Sequence, residues 1–358
     1  MSVDKLRKEV DAVDNKILHL LNLRAKASQK IGRIKVKEGQ GIYAPHRERE
    51  ILDRLKALNK GPLTPEAIDA IYREVMSFSI SLEKRVKIAY LGPPVTYTHQ
   101  AAQKKFGSSV DYSPCSSISE VFTDVENERC DYGVVPVENS TEGAVNHTLD
   151  MFIESPLKIY AEVYLPIHHH LMSKGNPLDE IEKVYSNPQV FGQCRLWLEA
   201  HLRRAELVDC SSTAEAAQIV SNNENEEGIA CIAGGMAAKE YGLEVLASSI
   251  EDNPNNTTRF IVISRAEAKP TRRDRTSIVF EIKDKAGALH DILTPFKKAR
   301  VNLTKIESRP SKKKAWSYFF FVDFEGHHNE PRIQKTLEGL EKKCAFLKIL
   351  GSYPKAEV

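Results

Sequence analysis

The chain has 358 residues, long enough for two or three domains, each with its own core. A charged fraction of 28% and a hydrophobic fraction of 41% are those of a globular protein, and a net charge of +2 gives no ground for a nucleic-acid or membrane partner. No basic segment followed by an apolar run opens the sequence, and no apolar run approaches membrane-span length, so a cytoplasmic protein is expected. The six cysteines are scattered without a C-x-x-C pair, which predicts reduced thiols and neither a disulfide framework nor a zinc site. Breaks in composition at Glu83-Lys84-Arg85 and over Ala266 to Arg275, read as a linker, divide the chain into residues 1–84, 86–265 and 276–358.

In the first region Leu6, Val10, Val13, Ile17 and Leu20, then Ala27, Ile31 and Ile34, follow a 4-3 spacing that predicts one long helix over 3–37. Position 24 completes the spacing and holds arginine. A guanidinium on an apolar seam is costly unless it snorkels to the rim or meets an anion. Lys35 follows eleven residues later, on the same face and roughly 16 Å away. A second helix over 45–58 points Arg47 inward beside Ile51. Thr64-Pro65 caps a third helix, on which Ser79 and Glu83 share a face beside the apolar stripe. Cations and one carboxylate turned inward among three helices predict a pocket for a small dianion.

LRKEVDAVDNKI, LLNLRAKASQKIGRIK and HREREIL make this region resemble an all-helical chorismate mutase. The resemblance puts Arg7, Arg24, Lys35, Arg47, Glu48, Ser79 and Glu83 on substrate-binding positions. Arg7 and Arg24 lie 17 residues apart on one helix, roughly 25 Å, so one small molecule meets both only if Arg7 comes from a second chain. An intertwined homodimer, or a higher homo-oligomer, follows. The implied rearrangement of chorismate to prephenate is pericyclic and needs no nucleophile, only positioned carboxylates and stabilised charge on the ether oxygen. Lys35 and Glu83 would flank that oxygen as the catalytic pair. Two departures stand out: Ala44 where the family often has aspartate, and Glu83 where it often has glutamine. An ionised Glu83 would repel the oxygen and a protonated one would donate to it, so mutase activity is expected to fall as pH rises through the Glu83 pKa.

Between 86 and 265 short apolar runs at 86–91, 133–137, 159–165, 181–185, 228–232 and 260–263 alternate with helical patterns at 98–106, 118–127, 190–201, 214–220 and 236–241. This predicts a mostly parallel sheet with crossover helices. The strand ending at Val137 runs into Glu138, Asn139, Ser140, Thr141 and Glu142, with a helix starting near Ala144. Thr96-Tyr97-Thr98, Ser186-Asn187-Pro188 and Ser211-Ser212-Thr213 sit at other helix starts, and such ends gathered at one cleft make an anion site. YLGPPVTYTHQAA, PVENSTEG, SNPQVFGQC, STAEAA and NNTTRF resemble, in order, the motifs of prephenate dehydratases, whose two-lobed α/β domain is of the periplasmic-binding-protein kind. The implied reaction is loss of CO₂ and water from prephenate to give phenylpyruvate. Site residues by this resemblance are Thr96, Thr98, Glu138, Asn139, Ser140, Gln193, Thr258 and Arg259. Thr258 is the candidate acid, in need of a polarising neighbour such as Glu138 or Asn139; Arg259 would bind a substrate carboxylate or support its loop. Val95 stands where the family has glycine, and a β-branched residue takes φ > 0 only at a cost. His168, His169 and His170 follow a strand, so neighbours point to opposite faces; structural roles are expected, and no metal or cofactor.

Beyond Thr276 the order is strand 276–282, helix 288–299, strands 303–308 and 316–324, helix 331–343 and strand 346–350, a ferredoxin-like α+β pattern. GALH at Gly287, Ala288, Leu289 and His290, and ESRP at Glu307, Ser308, Arg309 and Pro310, resemble the phenylalanine-binding motifs of ACT domains. Together the three resemblances imply a bifunctional enzyme of L-phenylalanine biosynthesis under phenylalanine feedback. Two rivals stand beside it: a two-lobed amino-acid-binding regulator with vestigial sites, and arogenate as the dehydratase substrate.

Overall fold

The computed structural model describes residues 2–38, 41–223, 226–282, 286–311 and 317–357. Helix α1 (Val3–Lys37) is followed by α2 (Pro45–Leu58) and α3 (Pro65–Glu83). Both shorter helices begin with proline at the first turn, and Thr64 caps α3 by accepting a bond from Ala67 N–H. The seam of α1 is not covered in the single chain: Leu6, Val10, Val13, Ile17 and Leu20 are all exposed.

The middle region is two lobes. The first has β1 (Lys87–Leu91), α4 (Tyr97–Phe106), β2 (Asp111–Cys115), α5 (Ile118–Glu126), β3 (Tyr132–Asn139), β4 (Gly143–Ala144), α6 (Asn146–Glu154) and β5 (Lys158–Pro166). The second has β6 (His170–Ser173), β7 (Lys183–Ser186), α7 (Pro188–Gln193), α8 (Arg195–His201), β8 (Glu206–Asp209), α9 (Thr213–Asn222), β9 (Ile229–Ala233), α10 (Gly235–Tyr241) and β10 (Glu244–Ala247). The chain then returns to the first lobe through β11 (Thr257–Ser264). The sheets run β2-β1-β3-β11-β5, with β4 pairing β3, and β10-β6-β9-β7-β8.

The expected mostly parallel sheet is corrected to two mixed ones, because β11 pairs antiparallel with β3 and β5, and β6 pairs antiparallel with β9 and β10. The strands missed in the sequence are short, and β2, β8 and β10 are sheet edges. The single helix expected over 190–201 is broken at Cys194, where φ is −115° and ψ 17°. The helix expected near Ala144 starts at Asn146, since Gly143 and Ala144 pair back onto Asn139 and Glu138.

The last region has β12 (Asp274–Ile282), α11 (Ala288–Lys298), β13 (Leu303–Pro310), β14 (Tyr318–Glu325), α12 (Pro331–Glu341) and β15 (Cys344–Pro354), in the order β13-β14-β12-β15. This is the ferredoxin-like arrangement; Trp316, expected to open β14, lies outside the described residues. Asp274 and Arg275, assigned to a linker, belong to β12 and are buried. One hydrophobic core joins all three regions: Ile42 and Tyr43, the first lobe, and Val279, Phe321, Leu350 and Tyr353 fall in a single cluster. Gly351 lies so close to the Ile159 backbone that a Cβ there would overlap it.

Candidate active sites

Six of the residues predicted for the first region, Arg24, Lys35, Arg47, Glu48, Ser79 and Glu83, line one cavity of about 590 Å³ among α1, α2 and α3. Arg24 Nη1 donates to Ser79 Oγ at 2.5 Å, and Ser79 donates to the Val75 carbonyl at 2.7 Å. Lys35 Nζ donates to the Ile42 carbonyl at 2.8 Å and stands 3.9 Å from Glu83 Oε2. That oxygen is buried and has no hydrogen-bond partner among the described residues. Burial pushes the Glu83 carboxyl pKa up, against the pull of Lys35 and Arg24, and burial likewise lowers that of Arg24. Gly32 makes room for Glu83, since a Cβ there would come within 2.5 Å of Glu83 Cγ. Arg47 pairs with Glu50 at 2.8 Å. Arg7 lies outside this cavity, exposed beside Asp4.

The second region also reaches this cavity, which sequence reasoning missed. Lys105 and Phe106 of α4 line it, and Lys105 Nζ meets Glu48 Oε2 at 3.0 Å. Tyr43 OH donates to the same oxygen at 2.8 Å while its ring packs on Phe106, Tyr132 and Tyr160. Lys105 is distant in sequence from the three helices, and nothing in α4 itself marks it as their partner.

Between the lobes lies a cleft of about 760 Å³, lined by Thr96, Thr98, Pro136, Asn187, Ser212, Thr213, Thr258 and Phe260 among others. Thr96 and Ser212 cap α4 and α9, accepting from His99 N–H and Glu215 N–H, so two ten-residue helices present their N-termini here. Thr258 is buried at the end of the cleft. Asn139 Nδ2 donates to Thr258 Oγ1 and to Asn256 Oδ1, each at 2.8 Å. The Asn139 orientation is fixed because its Oδ1 accepts from the Thr141 and Glu142 backbones. From Asn256 the chain of bonds runs to Gln193 Oε1 at 3.2 Å and on to His169 Nε2 at 2.8 Å. Burial lowers the His169 pKa. In the neutral ring Nε2–H donates to Gln193, and Nδ1 accepts from Tyr97 OH at 2.8 Å. Asn256 and Tyr97 were read only as parts of motifs, and His169 only as a structural histidine.

Three of the residues predicted for the dehydratase site do not line this cleft. Glu138 does not face the cleft; it stands 3.1 Å from Lys305 and 3.5 Å from Arg259 on the side of the C-terminal domain. Ser140 accepts from Thr257 N–H at 2.9 Å and pins the loop. Arg259 is buried against the C-terminal domain, bonded to Glu162, Asp323 and Tyr353. The cause is a bulge: Arg259 pairs with Glu138 but Phe260 with Pro136, so Val137 is an extra residue on β3. Pro136 lines the cleft, and without the bulge Glu138 would too.

Val95 does adopt positive φ, at 73°, and its side chain is buried in the core of the second lobe. The three histidines have separate partners: His168 meets Glu251, His169 meets Gln193 and Tyr97, and His170 accepts from Ser249 N–H. Among the described residues no group of His, Cys, Asp or Glu is arranged for a metal ion, and no helix is long and apolar enough to cross a membrane. In the C-terminal domain Gly287 takes φ 80° at the start of α11, with Leu289 and His290 exposed and Ala288 buried. Glu307, Ser308, Arg309 and Pro310 lie on the edge strand β13, where Arg309 binds Asp150 of α6 at 3.0 Å.

Comparison with known proteins follows the same three-part division. The family model for chorismate mutase type II matches residues 6–84, that for prephenate dehydratase residues 88–268, and that for the ACT domain residues 276–342. The bifunctional chorismate mutase/prephenate dehydratase of Aquifex aeolicus is 51% identical over 98% of both chains. That of Pseudomonas aeruginosa is 46% identical over 98% of this chain and 97% of its own. The solved prephenate dehydratase of Arthrobacter aurescens, in complex with L-Phe, is 36% identical with a TM-score of 0.70, covering 76% of this chain and 90% of that one. The chain belongs to the bifunctional chorismate mutase/prephenate dehydratase family.

Proposed function

We propose that the helical cavity rearranges chorismate to prephenate, that the cleft converts prephenate to phenylpyruvate, and that L-phenylalanine inhibits through the C-terminal domain. The observation that carries the reading is the placing of two unlike sites in one chain: a cationic cavity holding one carboxyl of raised pKa, and a cleft holding a hydroxyl polarised by an amide.

In the first site Arg24 and Arg47 hold the carboxylates of chorismate in the reactive conformer. Lys35 and protonated Glu83 donate to the ether oxygen as its charge develops. Arg7 completes the site from a second chain, and the exposed apolar seam of α1 is the surface along which the two copies pair.

In the second site Thr258 gives its proton to the departing hydroxyl. The amide of Asn139 already donates to Thr258 Oγ1, which frees the hydroxyl proton for transfer and stabilises the alkoxide left behind. The electron pair of the breaking C–CO₂ bond enters the ring, CO₂ and water leave, and Thr258 recovers a proton from solvent. The helix N-termini of α4 and α9 receive substrate carboxylate. A cytoplasmic setting is proposed with this role, in keeping with six cysteines held as thiols.

The test feeds chorismate to wild type, Arg24→Ala and Thr258→Ala and follows prephenate and phenylpyruvate. The reading expects Arg24→Ala to spare chorismate while still dehydrating added prephenate, and Thr258→Ala to accumulate prephenate. A wild type that consumes neither substrate refutes the reading.

A further inference from the structure

Thr258 and Asn139 form the hydroxyl–amide pair of the cleft, and each has a chain neighbour gripped by the C-terminal domain. Next to Thr258 on β11, Arg259 is 4% exposed; burial works against its charge, and Tyr353, Asp323 and Glu162 outweigh that and raise its pKa. Its Nε donates to Glu162 on β5 at 2.8 Å, its Nη1 to Asp323 on β14 at 2.6 Å and its Nη2 to Tyr353 OH on β15 at 2.7 Å. Ser277 Oγ braces both partners in the C-terminal sheet, 2.5 Å from Asp323 Oδ1 and 2.6 Å from Tyr353 OH. Next to Asn139 on β3, Glu138 stands 3.1 Å from Lys305 on β13. The Val137 bulge puts Glu138 on that side, and so the same device serves both strands.

A guanidinium is a planar fork, and its three bonds in a buried setting define one position for Arg259. A shift of the C-terminal sheet by a fraction of an ångström must either break those bonds or carry β11 with it. Burial makes the first costly. The peptide joining Arg259 to Thr258 then passes the shift to the hydroxyl. Lys305 lies on the strand that continues into Glu307–Pro310, the segment resembling an effector motif, and β14 with Asp323 pairs directly with that strand.

We propose that Arg259 and Glu138 are positioning residues through which the C-terminal domain sets the Thr258–Asn139 pair, and that this double clamp is the route from the effector to the dehydratase chemistry. The inference rests on the function proposed above.

The experiment uses the full chain with Tyr353→Phe and Lys305→Gln, which each remove one contact without leaving a bare carboxylate beside no cation, and Arg259→Lys, which keeps the charge and loses the fork. Mutase turnover of each variant serves as the folding control. For dehydration of prephenate, kcat is expected to fall about three- to tenfold in Tyr353→Phe and Lys305→Gln, and further in Arg259→Lys, with KM within about twofold of wild type. Phenylalanine is expected to bind Tyr353→Phe with unchanged affinity in calorimetry while its maximal inhibition drops by about half or more. A raised KM with kcat unchanged in Arg259→Lys overturns the proposal in favour of substrate binding. Unchanged kcat together with unchanged inhibition in Tyr353→Phe overturns it outright. Amide exchange over residues 257–260 gives a reading that needs no turnover: faster exchange in Tyr353→Phe than in wild type is expected, and equal rates refute the clamp. A wild type without dehydratase activity defeats the function proposed above, while the exchange comparison still decides the clamp.

Discussion

Lys35 Nζ and Glu83 Oε2 stand 3.9 Å apart across the helical cavity, too far for a hydrogen bond and close enough for each charge to act on the other. Burial prevails over that attraction and holds the Glu83 carboxyl above its ordinary pKa of 4.5.

Mutase activity is therefore predicted to be highest where Glu83 keeps its proton and to decline as pH rises through the raised pKa. Glu83→Gln, which donates at every pH, should flatten the profile and retain more activity at about pH 8. The stability sign agrees: a carboxyl whose pKa is higher folded than unfolded favours the native state at low pH and ceases to as pH climbs through the folded value. A wild-type profile that is flat to about pH 8 and matches the variant's would rule out a role for the proton.

Lys105 belongs to the dehydratase region yet lines the mutase cavity and meets Glu48 at 3.0 Å. Lys105→Ala is predicted to lower mutase kcat/KM about three- to tenfold, as loss of one charge-assisted contact. Prephenate dehydration should stay at the wild-type rate. Equal mutase constants in the two proteins would show that the cavity works without this cation.

Asn139→Asp keeps the oxygen that accepts from the Thr141 and Glu142 backbones and exchanges the amide that donates to Thr258 for a second acceptor. Dehydratase kcat is predicted to fall about a hundredfold, in the range seen when one positioned donor is removed. Thr258→Ser should retain more activity than Thr258→Ala because the hydroxyl remains. Phenylpyruvate formation from added prephenate measures both, and an Asn139→Asp enzyme as fast as wild type would exclude the amide from the chemistry.

Val95 holds φ 73° with its side chain in the core of the second lobe. Val95→Gly would relieve strain of about 1–2 kcal/mol but give up a buried valine, about 1.5–3 kcal/mol, and add chain entropy of about 0.5–1 kcal/mol. The burial side is larger, so a net loss of about 1 kcal/mol is predicted, read as a lower urea midpoint. A midpoint above wild type would mean that strain dominates at this turn.

The C-terminal sheet shares a core with the first lobe, and the sequence marked those regions as separated by a linker. The charged run over 266–275 reads as solvent-exposed, yet Asp274 and Arg275 are buried, and Arg275 donates to Glu162 at 2.7 Å. Charge density in a chain does not reveal whether a counter-charge awaits it across an interface.

The sequence by itself determined the type of the longer, periodic elements, because periodicity states which face of a segment is buried. Helix α1 runs Val3–Lys37 as its apolar seam predicts, and Arg24, Lys35, Ser79 and Glu83 meet at one cavity because helical geometry fixes their common face. Only the tertiary structure decided the sense of the strands and the register between them. The extra residue at Val137 turns Glu138 from the cleft toward Lys305 and brings Asn139 to Thr258, and nothing in PVENS announces it, since a bulge exists only relative to the strand it pairs with. Lys105 joins the first cavity and Arg259 leaves the second for the same reason: which side chains meet across a sheet or a domain boundary is set by packing between segments far apart in the chain.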